Sequence, residues 1–217
     1  MIVTIEHSTL EIPPPRTERG KGVHISSIIR CIAQETGILK PEWCEELDLL
    51  EVNPVTRFSD LRTILRICIG LAFEEWYIPR LPGVVDHPGE MACSDIYLNH
   101  DGEELSRFII DGFDRMCIVV HEVKTTYKSI RTVGVGEDAL KSQWMWLAQL
   151  KSYCKANNTR FAILHVLFIC GDYSYPIGPD MWIYHVEFTQ EEIDDNWELM
   201  EQYRDDRLKI EMRQRGL

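Results

Sequence analysis

The run Cys117-Ile118-Val119-Val120-His121-Glu122-Val123-Lys124 decides how this chain is read. It opens on apolar and β-branched residues, as a buried strand does, and closes on a carboxylate and an ammonium. Side chains alternate along a strand, so Glu122 and Lys124 share one face. A carboxylate at the end of a buried strand is costly unless it is paired or bound to a metal. By composition alone about one acid-x-Lys triplet is expected in such a chain. This is the only one present, and it sits at the edge of a sheet. His121, just before them, is expected to be a half-buried strand residue.

Outward from that strand, Ala92 to Leu98 reads as another strand and carries Asp95. A hairpin between the two would bring Asp95 beside Glu122, with Asp86 and Glu90 as rivals for the same place. Two carboxylates converging with a lysine make a site for a hard divalent cation. Such an ion polarises a phosphate and lowers the pKa of a bound water. The lysine can orient that water or stabilise charge developing on the phosphate. Downstream, a long helix is expected from about Glu137 to Asn157. On it Gln149 and Tyr153 are four apart and share a face. A Gln-x-x-x-Tyr match is expected by chance only about 0.2 times in this length. Trp144, Trp146 and Leu150 of the same helix read as packing residues.

The remaining elements place this pair in an α/β chain. His24 to Ala33 reads as a short helix stopped by Gly37 and Pro41, and Pro41-Glu42-Trp43 as a further helical turn. Ser59 can cap a helix from about Asp60 to Ile78, whose Leu61, Ile64, Leu65, Cys68, Leu71, Ala72 and Trp76 recur at helical spacing. Gly83 to Val85 and Arg115 to Val123 flank the Ala92 run as strands. Thr125 to Gly136 reads as a polar loop, and its Gly134-x-Gly136 as a mobile segment or a weak phosphate cradle. Phe161 to Cys170 is a continuous apolar run, as in a strand covered on both faces. Met181 to Phe188 alternates, and Thr189-Gln190-Glu191-Glu192 is a capping box opening a charged helix to about Arg213. The order is helix, three strands, helix, two strands, helix: an α/β core with a mixed central sheet flanked by helices. Residues 1–22 read as an irregular arm, 23–188 as one domain, and 189–217 as a C-terminal helix packing on it.

Composition bounds the class. At 217 residues, 45% hydrophobic and 27% charged, the chain is a folded domain, and no apolar run is long enough for a bilayer. No signal-peptide pattern opens it, and its seven cysteines contain no CxxC pair, so a reducing cytoplasm is expected. The net charge of −12 argues against a general nucleic-acid coat protein. Yet residues 115–160 carry eight basic and three acidic side chains, a basic island suited to an anion. No GxSxG, HExxH or Walker motif is present.

Asp95, Glu122-x-Lys124 and Gln149-x-x-x-Tyr153, in that order, resemble the PD-(D/E)XK nuclease superfamily. The branch they resemble is the RecB and lambda-exonuclease type, for which Gln-x-x-x-Tyr is characteristic. Gly70-Leu71-Ala72-Phe73-Glu74 matches the upstream helical motif of that branch, with Glu75 competing for the place of Glu74. His24 to Arg30 resembles the N-terminal helix of phage-type members. Two features depart from the pattern. Ser94 stands where a proline usually precedes the aspartate, and the cysteines do not form the iron–sulfur cluster of some relatives.

The resemblance implies a metal-dependent deoxyribonuclease. Asp95, Glu122 and the Val123 main-chain carbonyl would bind Mg²⁺ or Mn²⁺, one or two ions, with Glu74 contributing directly or through water. Lys124 would act on the water or the scissile phosphate. Gln149 and Tyr153 would orient the lysine and the nucleic-acid backbone. Lys128, Arg131, Lys141 and Lys151 would neutralise DNA phosphates, so binding should weaken as salt rises. Exonuclease action on DNA ends is the expectation, with an endonuclease, or an inactive nuclease-fold binding module, as alternatives. DNA is the expected partner, with a homo-oligomer or a recombination protein beside it, and no membrane.

Overall fold

A computed structural model of the chain describes residues 23–44, 49, 61–81, 84–85, 90–93, 96–99, 104–109, 116–134, 136–169 and 179–216. The expected N-terminal arm lies outside them. Strand β1 (Val23–His24) leads into α1 (Ile25–Glu35), and α2 spans Leu61–Tyr77. Four short strands follow: β2 (Val84–Val85), β3 (Glu90–Cys93), β4 (Ile96–Asn99) and β5 (Glu104–Ile109). The long β6 (Met116–Thr126) precedes α3 (Ile130–Val133), α4 (Glu137–Lys141) and α5 (Trp144–Ala156). Then come β7 (Phe161–Phe168), β8 (Asp180–Glu187) and α6 (Gln190–Arg215).

The fold is mixed α/β. The larger sheet has the order β2-β5-β6-β7-β8, and a smaller one the order β1-β4-β3. Within the larger sheet β6 and β7 run parallel and the other pairs antiparallel. A parallel pair needs a crossover, which α3, α4 and α5 supply.

Alternation along β6 and β7 gives the sheet two distinct faces. On one, Val120, Leu164, Val166 and Phe168 pack with Ile25, Ile28 and Ile32 of α1, Leu150 and Cys154 of α5, and Ile193, Trp197 and Met200 of α6. This is the main core. Helix α2 covers the other face. Its Gly70 is buried, and a Cβ placed there would stand 3.0 Å from Thr125 Oγ1. Glycine is what lets helix and strand approach so closely. With layers on both faces, β7 is apolar but for His165, for the expected reason. The C-terminal helix opens as its sequence predicts: Thr189 Oγ1 accepts from the Glu192 backbone at 3.2 Å, and the Thr189 backbone donates to Glu192 Oε2 at 2.9 Å. Among the described residues no helix is long and apolar enough to cross a membrane.

Four expectations are corrected. The single strand expected over Ala92 to Leu98 is two, β3 and β4, paired antiparallel with each other. The antiparallel partner of β6 is not that run but β5, whose Glu104-Leu105-Ser106-Arg107 has too weak an alternation to stand out. The loop expected at 125–136 holds the last residues of β6 and the short α3. The long helix is broken at Ser142-Gln143, where Gln143 leaves helical geometry with ψ 62°. No Gly or Pro marks that break, so periodicity runs through it.

Candidate active site

The candidate site lies where β6 outruns its neighbour. Its pairing with β5 ends at Glu104 opposite His121, while its pairing with β7 continues to Thr126 opposite Phe168. The Thr126 carbonyl accepts from the Ile169 N–H at 2.9 Å, on the β7 side. Main-chain groups alternate along a strand, so the Val123 carbonyl points to the β5 side. There, among the described residues, no strand pairs with it.

Glu122 and Lys124 leave this stretch on the face that carries α5. The Glu122 side chain is 2% exposed, and its Oε1 forms an ion pair with Lys124 Nζ. Lys124 Nζ donates to Gln149 Oε1 at 2.9 Å, and Gln149 Nε2 donates to Tyr153 Oη at 2.5 Å. Tyr153 is fully buried. Carboxylate, ammonium, carboxamide and phenol thus form one chain from strand to helix. Helical spacing explains its far half, because Gln149 and Tyr153 stand one turn apart on α5.

One atom of the chain is left over. Among the described residues, Glu122 Oε2 is buried and has no hydrogen-bond partner. An unsatisfied buried carboxylate oxygen is expensive, and a cation beside it would remove the cost. A hard anionic oxygen suits Mg²⁺ or Mn²⁺. The Val123 carbonyl, on the side where no described strand pairs with it, is a second oxygen of the right kind. Among the described residues no group of three His, Cys, Asp or Glu converges as a metal cluster. Asp95 lies outside the described residues. Glu74 is half-buried on α2, one turn beyond Gly70 and therefore in the layer against the opposite face of the sheet.

The structure divides the basic island. Lys128 is exposed just past β6, with its Nζ 3.5 Å from Gln143 Oε1. Arg131 lies on α3. Lys141 pairs with Glu137 at 2.6 Å, and Lys151 with Glu192 at 3.8 Å. Lys155 and Arg160 likewise meet Asp194 and Glu187. Lys151 is two residues from Gln149, which turns it to the other side of α5, toward α6. The last turn of α5 and the loop after it are therefore matched by carboxylates of β8 and α6. Of the described lysines in this stretch, Lys128 stands nearest Lys124 in sequence, just past the end of β6.

Two features were not singled out from the sequence. Gln143 is one. The other is a polar stack on the α2 face: Tyr77 Oη lies 3.1 Å from His165 Nδ1, and His165 Nε2 lies 3.0 Å from His121 Nδ1. The two imidazoles are stacked with centroids 5.2 Å apart. His121 is buried rather than half-buried. Burial pushes both imidazoles down to about 4, helped by repulsion from His185, and for His165 from His121. Both are neutral at pH 7. The available signal was His165 itself, the single polar residue inside the apolar run of β7.

No family model matches the chain, and no curated protein matches it significantly. Two solved structures are similar in layout. An alkaline exonuclease from Laribacter hongkongensis is 8% identical, with a TM-score of 0.48, over 90% of this chain and 92% of the other. A phage-related exonuclease from Haemophilus somnus 129PT is 14% identical, also with a TM-score of 0.48, over 88% of this chain and 96% of the other. Identities this low carry no residue role across.

Proposed function

We propose that the protein is a metal-dependent DNA nuclease that hydrolyses phosphodiester bonds with water, acting as an exonuclease on DNA ends. The observation that carries this reading is the Glu122–Lys124–Gln149–Tyr153 chain, buried at both ends, with its one unsatisfied carboxylate oxygen. The motif resemblance supports it.

The chain's own residues have defined tasks. Tyr153 anchors the Gln149 carboxamide, which leaves Oε1 facing the lysine. Lys124 is then held from two sides, by Glu122 and by Gln149. From that position the ammonium can donate to a phosphate oxygen or an attacking water. Fixing it in advance removes the reorganisation that a free lysine would need during reaction. Glu122 and the Val123 carbonyl, with Asp95 as a further ligand and Glu74 acting from the α2 layer through water, would hold Mg²⁺ or Mn²⁺, which when bound would polarise the phosphate and acidify bound water. Lys128, exposed at the same strand end, suits an adjoining phosphate of the strand.

The test is cleavage of linear and covalently closed circular double-stranded DNA in Mn²⁺, Mg²⁺ or EDTA, beside Lys124→Ala. Metal-dependent loss of linear DNA alone is expected, reduced about 100- to 1,000-fold in the variant. Nicking of the circle would make the enzyme an endonuclease. No cleavage of either DNA, or cleavage undiminished in the variant, would sink the assignment.

A further inference from the structure

We propose that the outward stripe of α2, formed by Arg66, Ile69, Phe73, Trp76 and Arg80, is a stacking face for single-stranded nucleic acid. Its first four members lie on the helix and Arg80 in the turn that follows. They recur at steps of three and four residues, which aligns them along one side of a helix. Gly70 and Tyr77 turn the inner face to Thr125 and His165, Phe73 is half-buried at its border, and Arg66, Ile69, Trp76 and Arg80 are exposed beside it.

The stripe is apolar and aromatic where a surface helix should be polar. Ile69 is 42% exposed and Trp76 56% exposed. Single exposed apolar residues need no explanation, but a row of them bounded by cations does. The rings are ordered against one another. Phe73 stacks on Tyr77 with centroids 5.1 Å apart and 12° between planes, and Trp76 lies 6.2 Å from Phe73. A guanidinium closes each end: Arg80 lies 4.5 Å over the Trp76 ring, and Arg66 lies 5.0 Å over the ring of Tyr127.

Charge selects the occupant. The two carboxylates of α2, Glu74 and Glu75, both lie off the stripe, so its only charges are Arg66 and Arg80. A second copy packed on it would set arginine against arginine, whether the two helices ran parallel or antiparallel. An apolar peptide would leave both guanidiniums without partners. A strand with exposed bases satisfies both features, because every base offers a π-face and every linkage a phosphate. Place supports the same choice. Tyr127, under Arg66, stands at the end of β6, three residues past Lys124. The stripe thus starts at the rim where Lys124 and Lys128 emerge and runs away along the opposite face.

Binding is tested without cleavage, so the outcome does not depend on the proposed activity. Fluorescein-labelled oligo(dT) of about 20 nucleotides is titrated in EDTA and followed by anisotropy. Trp76→Ala is expected to weaken binding about tenfold, with Trp76→Phe restoring most of it. Arg66→Ala and Arg80→Ala are each expected to lower the slope of log K against log salt by about 0.7. Circular dichroism of the variants checks that they are folded. Unchanged affinity in folded Trp76→Ala overturns the proposal. So does a wild-type dimer in sedimentation that Trp76→Ala splits, since the stripe would then be a contact between copies. Oligonucleotide binding by a protein that cleaves nothing would sink the nuclease reading and leave this one standing.

Discussion

The leftover oxygen of Glu122 yields a quantitative expectation that needs no substrate. An ion that binds the folded chain and not the unfolded one raises stability by RT ln(1 + [ion]/Kd). At one hundred times Kd this is about 2.7 kcal/mol. For a chain of this size each kcal/mol moves the melting midpoint by about 2–4 °C, so Mn²⁺ should raise it by about 5–10 °C over EDTA. Glu122→Gln keeps the shape of the side chain and removes its charge. If that weakens the ion about a hundredfold, the same Mn²⁺ adds only about 0.4 kcal/mol and moves the midpoint about 1 °C. The assay is thermal unfolding followed by circular dichroism across a Mn²⁺ titration, for wild type and variant side by side. An equal shift in both proteins would place the ion away from Glu122. No shift in the wild type would refute the view that Oε2 awaits a cation.

Gly70 gives a prediction with a change of sign. Alanine favours helix over glycine by about 1 kcal/mol, but its Cβ would meet Thr125 Oγ1 at 3.0 Å, and overpacking costs about 1–3 kcal/mol. Gly70→Ala should therefore destabilise the wild type by about 1 kcal/mol and stabilise a Thr125→Ala background by a similar amount; additive effects in urea unfolding would contradict the packing. A further prediction concerns pH. His121 and His165 are held to about 4 in the folded state against the ordinary imidazole value of 6.5, so the unfolded chain binds more protons between those limits. Their contribution is whole above about pH 6.5 and is lost as pH falls toward 4, and His165→Gln should show a smaller drop in urea midpoint between pH 7 and 5 than wild type; an equal drop would show that other groups set the acid limit.

Much of this was legible in the residues. The β6 run, the Gln-x-x-x-Tyr pair and the capping box of α6 are local patterns, and each forms the element its spacing implies. The contact of Lys124 with Gln149 follows once strand and helix are placed, because each presents its side chain at a fixed period. What failed was long-range or unmarked. The partner of β6 could not be read, since strand pairing depends on which of several short runs closes the sheet. The break in the helix at Gln143 carries no breaker residue. The basic island was counted along the chain, whereas its compensating carboxylates come from β8 and α6, later in the sequence.

The two-sidedness of β6 also limits how this gene can vary. From His121 to Thr125 alternate codons serve different neighbours: Glu122 and Lys124 serve α5, while His121 and Thr125 serve the α2 layer. A single-residue insertion or deletion upstream in the strand would exchange the two sets, turning the acid and lysine toward the α2 layer and His121 toward α5. No one substitution elsewhere could repair that exchange. The segment should accept changes of residue type far more readily than changes of length, and duplicated copies drifting toward new roles should keep its frame even after losing its chemistry.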